Sequence, residues 1–430
     1  MKNVFNILML CFLATCSSFG QDAKNKTISK SFAGKKQVSV THRYGPLQVV
    51  RSSDSQVKLT AILSARTKEP GDMELLEKQF DLEVVESSNI LDIKTSFEIE
   101  NWNSRNGIIS LKFKDGSRLK QVKDVEISFL LEVPELEELT LANKYDEIII
   151  REDLKADLNI NLYDGRLQTA DISGKLKIDT KYSKGSIGNF ATGELNFYDS
   201  DFNLGDGDDI KLTSKYSKLQ FNNVGSFNIQ SYDDKITWNT VKGDLSILDK
   251  YSDFVGGNFA NGKFDLHDSK VTLKDGQSLQ IKSKYTKFRF GNLQSLSFEL
   301  SYDDKVEIVS LGSLKTKSKY TDYKIGELKS GLIVNSYDDD FEIERFIGPL
   351  EGIDFTGKYS DITLLLPSTI EYRLEAYAKY GKIQYAESSL ETNFYKEKND
   401  EVEIKGKTKN ASDSSPLISI NSYDGKIILN

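Results

Sequence analysis

Tyrosine recurs along this chain with a rhythm that leaves few folds open. Tyrosines preceded by Lys stand at Tyr145, Tyr182, Tyr216, Tyr251, Tyr285, Tyr320, Tyr359 and Tyr380, in strings such as TKYSK, SKYSK, DKYSD and SKYTD, and most steps are 34 or 35 residues. Between them runs a second series followed by Asp: Tyr163, Tyr198, Tyr232, His267, Tyr302 and Tyr337, in LYDG, FYDS, SYDD and LHDS. From Tyr145 to Tyr359 there are 214 residues in twelve steps, so the underlying unit is close to eighteen residues. A fixed period of that size is the mark of a repeat architecture, in which a unit too small to bury its own apolar face does so by stacking on its neighbours.

Each unit reads as two short strands. KLQF, the turn NNVG, SFNIQ, a turn around SYDD and then KITWN show apolar residues at period two, as with Leu219 and Phe221 or Ile236 and Trp238. Gly, Asn and Asp punctuate the strands, and no long helical pattern interrupts them. The expected class is therefore all-β: a β-solenoid of about 18-residue coils alternating between two motif types. An antiparallel meander is the rival, because YDG in NLYDGRL and NSYDGKI is also hairpin chemistry. The single convincing helix is EPGDMELLEKQFD, residues 69–81, with Met73, Leu76 and Phe80 on one face.

Strand phase then separates the two tyrosine series. In the Lys series the ring is in phase with apolar positions, as in Leu212, Ser214, Tyr216, which predicts rings turned toward the core. In several members of the Asp series the phase shifts by one, as in Phe227, Ile229 against Tyr232, which predicts an outward corner. Tyr163, Tyr198, Tyr232, Tyr302 and Tyr337, with Asp233, Asp303 and Asp338 beside them, are then a candidate ligand-binding stripe, since aromatic faces next to hydrogen-bond acceptors suit sugars. Stacked identical corners would repel by roughly 1 kcal/mol per like-charge pair even in water. Alternating Lys corners with Asp corners is the expected remedy, and it leaves a mixed-charge exterior that discourages edge pairing.

The flanks differ from the repeats. MKNVFNILMLCFLATCSSFGQD carries Lys2, an apolar run and small residues, which reads as an export signal over residues 1–20 with Gln21 as the first mature residue. LATC, ending at Cys16, offers the competing reading of a lipoprotein acylated there. Cys11 and Cys16 are the only cysteines, so a chain beginning at Gln21 has no thiol chemistry. No later apolar run reaches the length of a membrane-spanning helix. Residues 21–140 form an N-terminal β region in which VSVTHRYGPLQVV, Val38 to Val50, reads as a first degenerate coil; residues 141–386 are the regular coils. Residues 387–415 are a charged, repeat-free insertion, and 416–430 form a closing strand.

In their order, HRYGPLQVV, EPGDMELLEKQFD, ISFLLEVPELEELTLANKYDEIII and SYDGKIILN resemble the bacterial toastrack, or putative-adhesin, β-strand-repeat family. Its members begin with a strand bearing an N-x-Y-G-type motif, pass a short helix and a strand ending in Val-Pro, and continue in repeats. Here Ser or Asp often stands where the family has its motif glycine, as in KYSK and SYDD. The resemblance implies a cell-envelope role, as an adhesin-like surface protein or as a sensor or accessory component of an envelope-stress response, and it carries no catalytic residues across.

Residue chemistry points the same way. The formal net charge of −8, with lysines spread along the repeats, gives no basic footprint for nucleic acid. His42 and His267 have no metal-ligand spacing, and His267 fills a tyrosine position of the repeat. DSDFNLGDGDD, Asp199 to Asp209, spaces Asp199, Asp201 and Asn203 by two, but its Gly205 is misplaced and no Glu closes the loop, so it reads as a solvated turn rather than a calcium site. Paired carboxylates such as Asp303 and Asp304 could suit glycoside hydrolysis, yet they recur in several coils, as lattice elements do. The expectation is a non-enzymatic protein without cofactor or metal. It is exported to the periplasm, the outer-membrane surface or the medium, and it presents an elongated repeat face to a glycan or an envelope or surface protein.

Overall fold

The computed structural model describes residues 24–67, 69–105 and 108–429. The expected export signal over residues 1–20, with Cys11 and Cys16, and the expected mature start at Gln21 lie outside the described residues. Among the described residues the chain is all-β apart from one α-helix and a 3-10 turn, and it forms a β-solenoid of about 13 turns at ~18-residue spacing. Parallel pairing between successive coils decides against the meander. Glu138–Lys144 runs parallel to Asp157–Tyr163 with Leu139 opposite Leu158 and Leu141 opposite Ile160. Lys218–Tyr232 runs parallel to Lys235–Lys250 in the same way. Because partners one coil apart are equivalent residues, the main inward columns are apolar, as they must be when a one-residue slip would turn the whole set to solvent.

The chain divides into two compact units, residues 1–190 and 191–430. In the first, β1 (Lys24–Ala33), β2 (Gln37–Arg43), β3 (Leu47–Arg51) and β4 (Gln56–Thr67) precede α1 (Pro70–Gln79). β2 and β3 are the two sides of the expected degenerate coil, and they pair in parallel with Glu138–Lys144 and Ile148–Ile150, about a hundred residues later. What intervenes is an excursion of mixed pairing: β4 lies antiparallel between β1 and Arg118–Val133, and Ile90–Ser96 lies between β2, to which it is parallel, and Asp81–Glu86, to which it is antiparallel. α1 is two residues shorter at its C-terminal end than the sequence suggests, because Phe80 turns extended after closing a bond to the Leu76 carbonyl. Met73, Leu76 and Phe80 are buried as expected. Lys26 donates to the carbonyls of Glu77 and Phe80 at 2.6 Å each, which satisfies acceptors the helix end leaves open.

In the second unit the coils are regular and their core is aromatic: Phe221 meets Phe227 at 4.8 Å, and Phe227 meets Trp238 at 5.9 Å, both edge to face. Near its end the chain leaves sequence order. The charged insertion folds as an antiparallel hairpin of Leu390–Lys398 and Glu401–Thr408, whose second strand pairs antiparallel with Arg373–Lys379. The closing segment supplies two strands rather than one. Leu417–Tyr423 slots between Gly352–Lys358 and Arg373–Lys379, parallel to both, and Lys426–Leu429 does the same between Asp361–Leu364 and Lys382–Tyr385. Among the described residues no helix is long and apolar enough to cross a membrane.

Candidate functional site: a tyrosine ladder at the coil corner

Every coil leaves its first strand through one residue with positive φ. In the Lys series that residue is the tyrosine itself, with φ from 57° at Tyr182 to 72° at Tyr145 and Tyr251; in the other series it is the Asp after the tyrosine, with φ from 47° at Asp199 to 56° at Asp338 and Asp424. Asp tolerates this left-handed region, whereas a tyrosine there is uncommon and strained by about 1–2 kcal/mol. The two motifs are therefore one corner shifted by one residue. Lys215 stands opposite Tyr232 and Tyr232 opposite Lys250, so the last strand position alternates Lys and Tyr. The next position alternates Tyr and Asp.

This geometry corrects two expectations. The Lys-series rings do not turn inward: from Tyr145 to Tyr380 they are 39% to 53% exposed. The positive φ interrupts the pleat, so the in–out alternation that holds along the strand does not carry through the corner. Nor do Lys and Asp alternate in one column. In the second unit each charge is flanked along its column by tyrosines or by His267, and like charges recur only every second coil, about 9.6 Å apart at the ordinary strand spacing, which is close to the screening length in physiological salt.

The shift also brings both series together. In the first unit Tyr145, Tyr163 and Tyr182 follow one another at 5.8 and 5.5 Å between ring centroids, nearly perpendicular. In the second, the run Tyr198, Tyr216, Tyr232, Tyr251, His267, Tyr285, Tyr302, Tyr320, Tyr337, Tyr359, Tyr423 and Tyr380 proceeds at 5.3–5.9 Å with interplanar angles of 72–86°. Edge-to-face contact of this kind adds roughly 0.5–1.5 kcal/mol per pair beyond area burial. His267 serves as one rung, as its place in the repeat predicts. Tyr423 fills the gap between Tyr359 and Tyr380, two Lys-series residues that are consecutive in sequence. Where two positive-φ tyrosines do meet, at Tyr44 and Tyr145, the rings lie stacked at 17° instead. Perpendicular packing thus depends on the alternation.

Of the stripe expected from sequence, Tyr163, Tyr198, Tyr232, Tyr302 and Tyr337 are half-buried, wedged between the more exposed rings, and Asp233, Asp303 and Asp338 are exposed corner residues. Lysine ammonium groups lie over the half-buried rings: Lys215 is 5.9 Å from Tyr232, Lys284 5.9 Å from Tyr302 and Lys319 5.6 Å from Tyr337. The phenols of Tyr216 and Tyr320 titrate above the ordinary tyrosine value, through loss of hydration first and then through the flanking phenols and Asp233 or Asp338.

Beneath the corner runs a second, buried column of Ser, Thr and Asp. Asp304 accepts from the hydroxyls of Ser283 and Ser301 and from the Thr286 amide. Asp339 accepts from the Ser318 hydroxyl at 2.6 Å and the Thr321 amide at 2.8 Å, and Asp234 from the Ser217 amide at 2.6 Å. Burial outweighs these bonds and raises Asp234 and Asp339 to about 6. Asp303 and Asp304 thus divide into an exposed corner and a buried tie. Asp199 is likewise a corner and Asp201 faces Lys218 at 3.9 Å from within the strand Asp201–Leu204, so the calcium-like spacing is a turn running into a coil. His42 is buried against Phe129 with Nδ1 2.9 Å from Thr95, and burial lowers it to about 3, which keeps it neutral.

The first coil makes the same corner with Tyr44 and Gly45. A Cβ on Gly45 would stand 1.9 Å from the Ile127 carbonyl oxygen, so only glycine fits there, at φ +151°. Arg43 takes the lysine position and lies 4.8 Å from the Tyr44 ring and 5.4 Å from Tyr145.

No protein-family model and no curated protein matches the chain. Among the solved structures that resemble it are three at 10% identity each. One is named a putative cell adhesion protein from Clostridium sporogenes, with 94% of this chain and 99% of that one covered at a TM-score of 0.18. The others are named a putative lipid binding protein from Parabacteroides distasonis and a putative adhesin from Parabacteroides merdae, each covering 78% of this chain and 98% of its own at 0.21. At these scores the likeness carries no argument.

Proposed function

We propose that this is an adhesin-like protein of the cell envelope or surface, which binds a partner through its tyrosine ladder and performs no catalysis of its own. One observation carries the reading: at every second corner tyrosine occupies a backbone conformation that glycine or Asp would adopt at lower cost, and its ring stays substantially exposed. A purely structural corner does not need an exposed ring, whereas a binding surface does. Lys over the neighbouring rings and Asp at the intervening corners add donors and acceptors along the same strip.

The test removes rings without disturbing the turn. Asn accepts positive φ, so Tyr251→Asn, Tyr285→Asn and Tyr320→Asn combined should keep the melting temperature within a few degrees. Attachment of the purified protein to glycan arrays and to cells should fall at least tenfold. Unchanged attachment with an intact fold would remove the ladder as the binding face.

A further inference from the structure

We infer that the ladder's ligand is a neutral polysaccharide chain lying extended along the stack of coils, one disaccharide to every two coils; the inference rests on the binding reading above and names its ligand class. Tyr216, Tyr251, Tyr285, Tyr320 and Tyr359 occupy the positive-φ corner of every second coil of the second unit. At the strand spacing of about 4.8 Å these outer rings recur at ~9.6 Å, which is the length of two sugar units in a fully extended β-linked chain. A glycan laid along the strip would therefore meet an equivalent ring at equivalent sugars, with no change of conformation from one ring to the next.

Charge selects among polysaccharides. Over each pair of coils the two corner columns contribute one lysine and one aspartate, as Lys284 and Asp303 do, so they cancel. An acidic polymer would meet a carboxylate in every notch between rings, and a basic one would meet a lysine. A neutral chain finds an acceptor and a donor for its hydroxyls in each period, with C–H faces for the rings. The parallel ladder holds the rings in place before any ligand arrives, so affinity grows as successive disaccharides engage successive rings at little further ordering cost.

Calorimetry of the full mature chain with cello- and chito-oligosaccharides of two to eight sugars tests this. Affinity should climb several-fold with each added disaccharide. Tyr251→Asn with Tyr285→Asn should weaken the longest oligosaccharide at least tenfold, with circular dichroism confirming the fold. Affinity independent of length, or preference for polygalacturonate over the neutral chains, would overturn the assignment. If no polysaccharide binds while attachment to cells still depends on the outer tyrosines, the ligand class falls and the surface-binding reading stands. If that attachment is also indifferent to them, both fall.

Discussion

At the scale of residues, the corner sets strain against packing, and the magnitudes are close. A left-handed tyrosine costs about 1–2 kcal/mol, while two edge-to-face neighbours return roughly 1–3 kcal/mol. Tyr285→Gly removes both terms, so the stability of the second unit should change by no more than about 1 kcal/mol. Tyr302 stands on the strand with no left-handed strain to relieve, so Tyr302→Ser should cost about 1–3 kcal/mol. Urea denaturation compares them, and equal losses would refute the strain argument. The buried carboxyls make a second prediction. With a folded pKa of about 6 at Asp234 and Asp339, the native state keeps protons that the unfolded chain has released above its ordinary carboxylate range. Their stabilising contribution is complete below about pH 4 and is lost as pH rises through 6. The melting temperature should be higher at pH 5 than at pH 7, by on the order of 2 kcal/mol for the pair in free-energy terms. Asp234→Asn with Asp339→Asn should flatten that slope in a calorimetric pH series. Both tyrosine series and their spacing were plain in the sequence because they are short-range facts. Which rings face outward was not, since the phase is broken by a backbone dihedral. The one-residue offset between KY and YD, followed by Ser, Thr, Gly or Asp, was the available signal.

At the scale of elements, the α-helix, the first degenerate coil and the alternating strands were legible from apolar period, but the expected turn NNVG between KLQF and SFNIQ is continuous strand within Lys218–Tyr232. The order in space was not legible, because no local pattern says that Leu417–Tyr423 belongs between Gly352–Lys358 and Arg373–Lys379. A clue existed: Tyr359 and Tyr380 are consecutive Lys-series residues, and the missing Asp-series rung is the SYDG at the end of the chain. The hairpin Leu390–Lys398 and Glu401–Thr408 covers the otherwise open edge of Arg373–Lys379. An uncovered edge is a template for another chain. Replacing residues 389–409 with a short Gly-Ser linker should leave the coils folded by circular dichroism but promote self-association in light scattering. A variant that stays monodisperse would show that this edge needs no cover.

For the molecule as a whole, stability in a stack is close to a sum of coils and their interfaces, so the alternation defines what can be excised. Deleting residues 217–251 removes 35 residues and rejoins a Lys-series corner to its proper successor. Deleting 217–233 removes a single coil and sets two Lys-series corners side by side, as at Tyr44 and Tyr145. The longer deletion should melt close to the parent, and the shorter one several degrees lower; the reverse order would dismiss the two-coil module. The out-of-order final strand bears on synthesis. A chain that emerges from its N-terminus completes most coils as they appear, because each pairs with the one just made. Gly352–Lys358 instead waits some sixty residues for its outer neighbour, Leu417–Tyr423, a long closure of the kind that slows folding. Leu417–Tyr423 therefore acts as a clasp: until it arrives, Gly352–Lys358 has no outer partner and the coil it belongs to stays unlocked.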